Sequence, residues 1–118
     1  MATYARTLLS GSTDGKSIPV AATATPGTAI HTAVTGSTSF DEVYLWAANV
    51  TAAAATLTIE WGGVTDPGNH IMKAVSIPAN SPPIPVVTGL VLNNGLLIKA
   101  FSGTASAINL TGFVNRIS

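Results

Sequence analysis

Turn-forming residues break this chain into short runs from end to end, and that spacing leaves little room for anything but short strands. Asp14-Gly15, Pro26-Gly27, Gly62-Gly63, Asp66-Pro67-Gly68-Asn69, the stretch from Pro78 to Pro85 and Asn93-Asn94-Gly95 are each turn signals. Asp-Gly supplies the positive-φ position of tight turns, and Asn93-Asn94-Gly95 is a hairpin signal of the strongest kind. Between them lie runs of β-branched and apolar residues at 4–10, 17–24, 28–35, 42–50, 56–61, 70–77, 86–92, 96–102 and 107–117. Residues 56–61 alternate, with Leu57, Ile59 and Trp61 on one face and Thr56, Thr58 and Glu60 on the polar one. The run 42–50 is nearly apolar on both faces, which predicts a central strand covered on both sides. Pro19 makes 17–24 an edge strand, Asp14-Gly15 reads as a hairpin turn, and Gly89 marks a kink. The alanines after Thr51 invite a helix. The run is too short to hold one, so a hairpin connection is expected there.

Eight or nine short strands at regular spacing predict an all-β antiparallel sandwich, jelly-roll-like, in one domain spanning 1–118. The immunoglobulin sandwich ranks lower, since the chain has no cysteine. That absence also removes disulfides and thiolate metal sites. Only 8% of the residues are charged, against about a quarter in an average soluble domain. Thr, Ser, Ala and Gly stand in their place, a surface suited to packing against other protein. Net charge is zero, and Arg6, Lys16, Lys73, Lys99 and Arg116 are scattered. No nucleic-acid partner is expected from such a distribution. No apolar run approaches the ~20 residues of a membrane helix, and the start shows no signal-peptide pattern, so no membrane association is expected.

Several motifs invite a chemical reading. Gly11-Ser-Thr-Asp-Gly-Lys-Ser17 resembles a phosphate loop, but its first glycine is one place late, and Ile18-Pro19-Val20 follows as extended chain instead of a helix. His31 and His70 are the only histidines, too few for a metal site without carboxylates from distant strands. Asp41, Glu42 and Glu60 are the carboxylates to test for a hydrolytic pair. Asp41 reads as a loop residue, and no arrangement separates an acid from its partner. No enzyme activity and no cofactor are expected. Trp46, Trp61, Tyr4 and Tyr44 are candidates for a sugar platform, with Trp61 assigned to the core and Tyr44 and Trp46 to core or interface. Asn49-Val50-Thr51 and Asn109-Leu110-Thr111 match the glycosylation sequon, taken as chance in a Thr-rich chain.

Four stretches carry a likeness as a set: 41–49 (Asp-Glu-Val-Tyr-Leu-Trp-Ala-Ala-Asn), 56–63 (Thr-Leu-Thr-Ile-Glu-Trp-Gly-Gly), 92–101 and 110–117. Arg6-Thr7-Leu8-Leu9-Ser10 and Ile18-Pro19-Val20-Ala21 extend it to nearly the whole chain. The chain resembles small virion structural proteins of tailed bacteriophages. The resemblance implies a β-sandwich on the outside of a particle. Its commonest form is a capsid decoration (cement) protein, often a homotrimer, bound to the major capsid protein and assembled in the host cytoplasm. A neck, tail or fibre position is the alternative within the virion, and a carbohydrate-binding adhesion module that attaches particles to glycans is the alternative of a different class. Residues 1–12 are expected as a capsid-contacting arm or an ordinary edge strand. Tyr4, Arg6, Leu8 and Leu9 are the candidate contact residues, because a terminal segment is free to be donated.

Overall fold

The computed structural model describes residues 3–118. Nine strands follow one another: β1 (Tyr4–Leu8), β2 (Ile18–Pro19), β3 (Thr28–Thr32), β4 (Phe40–Asn49), β5 (Ala55–Trp61), β6 (His70–Ile77), β7 (Ile84–Leu92), β8 (Leu97–Ser102) and β9 (Ile108–Ile117). They form two antiparallel sheets. Sheet A runs β1-β9-β4-β7, with β2 also on β9, and sheet B runs β3-β8-β5-β6.

The order has a simple origin. β1 pairs Ile117 to Phe113 of β9, and β2 pairs Leu110 and Asn109 of the same strand. The two are therefore one edge strand, interrupted by an excursion over residues 9–17. Counted as one, the first strand pairs the last, β3 pairs β8, β4 pairs β7, and β5 pairs β6. The chain is one long hairpin folded on itself, and its rolling adds the pairings β4·β9 and β5·β8. This is the jelly-roll order, two interlocked Greek keys.

Two connections expected as hairpins, after Thr51 and at Asn93-Asn94-Gly95, instead cross from one sheet to the other. Three further local expectations change. The run 17–24 shortens to the two residues of β2: the Val20 amide still donates to the Ile108 carbonyl and its carbonyl accepts from the Ser106 amide, and the chain leaves β9 after it. Asp14 and Gly15 do take positive φ, at 54° and 85°, but the turn joins two collinear pieces of one edge and closes no hairpin. The third change concerns β4, which is covered on one side only. Its residues Asp41, Val43, Leu45, Ala47 and Asn49 are buried, while Glu42, Tyr44, Trp46 and Ala48 on the other face are half-buried.

The core lies between the inner faces. Val43, Leu45 and Ala47 meet Leu57, Ile59, Ile98, Ala100, Ile108, Leu110 and Val114 there. Each fully buried aliphatic side chain contributes roughly 1.5–3 kcal/mol. Trp61 packs against this cluster from its margin. Gly89 adopts φ 90° and sits where the β4·β7 register shifts between Val43 and Tyr44, a bulge at the expected kink. Asn49 closes the far end of the core. Its amide donates to the carbonyls of Ala53 and Ile77 at 2.9 and 3.1 Å, and its oxygen accepts from the Thr51 amide and hydroxyl. A buried side chain engaged in this way is no glycan acceptor.

Gly112 marks the tightest approach of β9 to β4, since a Cβ there would run into the Tyr44 carbonyl oxygen. Gly112→Ala should lower the unfolding free energy by about 1–3 kcal/mol in urea denaturation. An unchanged midpoint would show that the two strands have slack at this point.

Candidate contact face and the buried carboxylates

The outer face of sheet A follows from register, because paired residues on neighbouring strands share a face. Tyr4, Ile117 and Phe40 form one row across it. Arg6, Asn115, Glu42 and Val91 form the next, and Leu8, Phe113, Tyr44 and Thr88 the third. Thr111, Trp46 and Pro85 follow. Tyr4 is 70% exposed, Leu8 52% and Val91 53%. Arg6 and Glu42 are the only charged side chains in these rows.

The rings on this face pack against one another. Tyr44 and Phe113 stack with centroids 5.0 Å apart and 19° between planes, and Trp46 lies 6.0 Å from Phe113 at 29°. Adjacent strands are about 4.8 Å apart, so rings stacked across that gap stand upright on the sheet. The Arg6 guanidinium lies 4.6 Å from the Phe113 centroid, and β1 flanks β9 on the side away from β4. Phe113 thus has Tyr44 against one face and Arg6 against the other, the cation held by the ring quadrupole. A ring covered on both faces offers no flat platform to a sugar. The Tyr44 hydroxyl donates to Glu42 at 2.8 Å. That hydrogen bond to a carboxylate, with some burial, raises the Tyr44 phenol above its ordinary value.

Of the candidate contact residues, Tyr4, Arg6 and Leu8 share this face. Leu9 does not: it is 1% exposed and belongs to the core, because the chain turns inward where β1 ends. Residues 4–8 form an edge strand of their own subunit. Met1 and Ala2, also within the expected arm, lie outside the described residues.

The carboxylates lie elsewhere. Asp41 is a strand residue and fully buried, set inward by its parity with Val43 and Leu45. Its oxygens accept Arg116 Nε at 2.8 Å, Arg116 Nη2 at 2.9 Å, the Val34 amide at 3.2 Å and His31 Nε2 at 2.7 Å. The His31 Nδ1 accepts the Ser10 amide at 3.0 Å. A backbone N–H only donates, so Nδ1 is unprotonated and Nε2 carries the proton given to Asp41. Both imidazole nitrogens are committed, and neither is free to take a proton from a nucleophile. The cluster joins β3 of sheet B to β4 and β9 of sheet A.

Glu60 is also buried, against its expected place on a solvent-facing row. The segment before β3 folds over it: Thr25 Oγ1 donates at 2.6 Å and the Gly27 amide at 2.7 Å. His70 Nε2 is 4.0 Å from Glu60, and its Nδ1 is 3.5 Å from Asp66, while its ring meets the edge of Phe101. Asp66 pairs with Lys73 at 2.7 Å, and that hydrogen bond holds its carboxyl below the ordinary value. The two histidines sit in separate clusters, and no group of three or more metal-ligating side chains is assembled among the described residues. Residues 11–17 form a turn, with Ser12 Oγ donating to the Lys16 carbonyl at 2.7 Å. Two shallow hollows, of about 200 Å³ beside Gly62, Val64 and Leu96 and about 160 Å³ beside Phe40 and Val91, lie on the surface away from both clusters' hydrogen-bonded carboxyl groups.

Parity with Val43 was a signal for burying Asp41. No local signal marks Glu60, whose cover comes from a loop more than thirty residues away. Comparison with protein-family models, curated proteins and solved structures finds no match.

Burial alone would raise the Asp41 carboxyl, but the hydrogen bonds from Arg116 and His31 and the charge of Arg116 outweigh it and hold the group below its ordinary value of 3.8. A depressed folded-state value means that the stabilisation is complete above the unfolded value and drains away as pH falls through the folded one. Asp41→Asn should cost about 3 kcal/mol at neutral pH, as when one partner of a buried pair is removed. It should also flatten the loss of stability below about pH 4. Denaturation across a pH series reads both effects; an acid limb as steep as wild type would remove Asp41 from the account.

Proposed function

We propose that this chain is a non-enzymatic structural protein of a tailed-bacteriophage virion, a capsid decoration protein that adheres to the outer lattice of the head. The observation that carries the adhesion is the outer face of sheet A, a strand surface rich in aromatic and aliphatic side chains with one cation and one anion. Contiguous apolar surface of this kind on a soluble domain marks a contact site. The virion assignment rests on the sequence resemblance. The jelly roll is an architecture that viral shells share with lectins and cupins, so the fold is compatible with the assignment without selecting it.

The mechanism is passive. Apolar area buried against a shell stabilises the contact by roughly 25 cal/mol per Å² before the cost of association. A face nearly free of charge avoids the desolvation that ion burial would impose. A protein that binds the assembled lattice and not its separated subunits stabilises the lattice by mass action. Copies of the chain and the major capsid protein are the partners in this reading, and the resemblance implies trimers. A place in the neck, tail or fibre uses the same face with far fewer copies. The glycan-binding alternative is less well supported, because Tyr44 and Phe113 stack on each other.

The number of copies per purified particle, measured against the major capsid protein, tests the proposal. Decoration predicts hundreds of copies in a fixed simple ratio. A dozen or fewer would move the protein to the neck or tail, and absence from the particle would overturn the virion reading altogether.

A further inference from the structure

A sheet edge left unpaired is a template for another strand, and proteins commonly blunt it with proline, bulges, Lys or distortion. Three of the four sandwich edges here are blunted. β7 carries Pro85, two register shifts and Gly89 at φ 90°. β6 carries Lys73, two register shifts and Ala74 at φ 50°. β3 shifts register between Ala29 and His31. The fourth edge is blunted only in its second half, by Pro19 of β2. Its first half, β1, runs five residues in unbroken register with no proline, lysine or bulge.

The free groups on β1 are known from the ladder. Thr3 and Ser118 exchange both backbone hydrogen bonds, at 2.7 and 2.9 Å. Bonded and non-bonded pairs alternate along an antiparallel ladder, so Ala5 and Thr7 bond to β9. The N–H and C=O groups of Tyr4, Arg6 and Leu8 therefore point away from it, and none of them is engaged elsewhere among the described residues.

We propose that β1 is a self-association edge that pairs antiparallel with β1 of a second copy of this chain about a two-fold axis at Arg6. In that register all six outward groups of each copy are satisfied. Exposed Tyr4 lies opposite Leu8 of the symmetry mate on the outer face, an apolar cross-strand pair. The one like-charge conflict, Arg6 facing its own mate, is relieved because the guanidinium is drawn back over Phe113. The pairing is isologous, as a two-fold contact must be. Zero net charge leaves no monopole opposing the approach. The two sheets A would join into one continuous sheet with its outer face doubled. The pairing rests on the sheet edge alone, and its two-fold dimer departs from the trimer that the resemblance implies.

Sedimentation equilibrium of the full chain over a concentration series, with amide exchange by NMR, tests it. The expected result is a monomer–dimer equilibrium. The Tyr4, Arg6 and Leu8 amides should gain protection as the dimer fills, while those of Ala5 and Thr7 are protected throughout. Arg6→Pro removes an outward N–H and no bond to β9, and should weaken the dimer about tenfold or more. Arg6→Ala, which keeps that N–H, should weaken it less. Should Arg6→Pro fail to fold by circular dichroism, the double variant Tyr4→Lys/Leu8→Lys carries the same expectation through charge repulsion at exposed positions. A monomer at every concentration, a trimer, or a dimer indifferent to these variants would overturn the proposal.

Discussion

Ten consecutive residue pairs join β4 to β9 without a register shift, and side chains alternate along a strand, so one parity choice in β4 governs both faces of sheet A. The inward row is Asp41, Val43, Leu45, Ala47 and Asn49. Its middle is apolar and builds the core against sheet B. Its two ends are polar and buried, and each is fully engaged. Asp41 gathers Arg116, His31 and the Val34 amide at one end. Asn49 gathers the carbonyls of Ala53 and Ile77 at the other. A one-residue slip would turn these groups outward and bring Glu42, Tyr44 and Trp46 into the core, so the polar ends specify register as well as holding the sheets together.

The same parity determines what the molecule presents. With the core row fixed inward, Glu42, Tyr44 and Trp46 have no place but the outer face, where β9 adds Phe113 and β1 adds Tyr4, Arg6 and Leu8. The rings lean on one another, and Arg6 closes the row, which makes the surface rigid before any partner arrives. The side chains held in that row have less rotamer freedom left to lose on binding, a preorganisation that favours contact. The buried carboxylates are committed to holding the fold. The Asp41 cluster ties the sheets, and Glu60 fastens the segment before β3 to sheet B. The contact face and the polar ties occupy different layers of the molecule.

Much of the architecture was legible because turn chemistry and period-two alternation are local. Gly89 and the row Leu57, Ile59 and Trp61 act where the sequence places them, and Asn94 and Gly95 take positive φ as a turn requires, although that turn crosses between sheets instead of closing a hairpin. What escaped depends on distant chain. β1 and β2 become one strand only because β9, some hundred residues later, lies beside both. Glu60 looks like a solvent-facing residue until Thr25 and Gly27 cover it. A strand apolar on both faces ordinarily means cover on both faces, and β4 departs from that because both sheets are used in the sandwich and, among the described residues, none forms a layer over the outer face of sheet A. Asp41 was readable: its parity with Val43 and Leu45 outweighs its position after Ser39-Phe40. Of the candidate contact residues, Tyr4, Arg6 and Leu8 share the outer face by parity, and the same alternation places Leu9 inward, in the core.

The central claim is that the outer face of sheet A is a contact surface, covered when the protein is in its working assembly. Hydroxyl-radical footprinting of the free chain and of the chain within purified particles tests it residue by residue. Protection confined to Trp46, Tyr44, Phe113 and Tyr4, with Trp61 unchanged, is the predicted result. Equal labelling of the four in both states would contradict the claim and leave the face as ordinary surface.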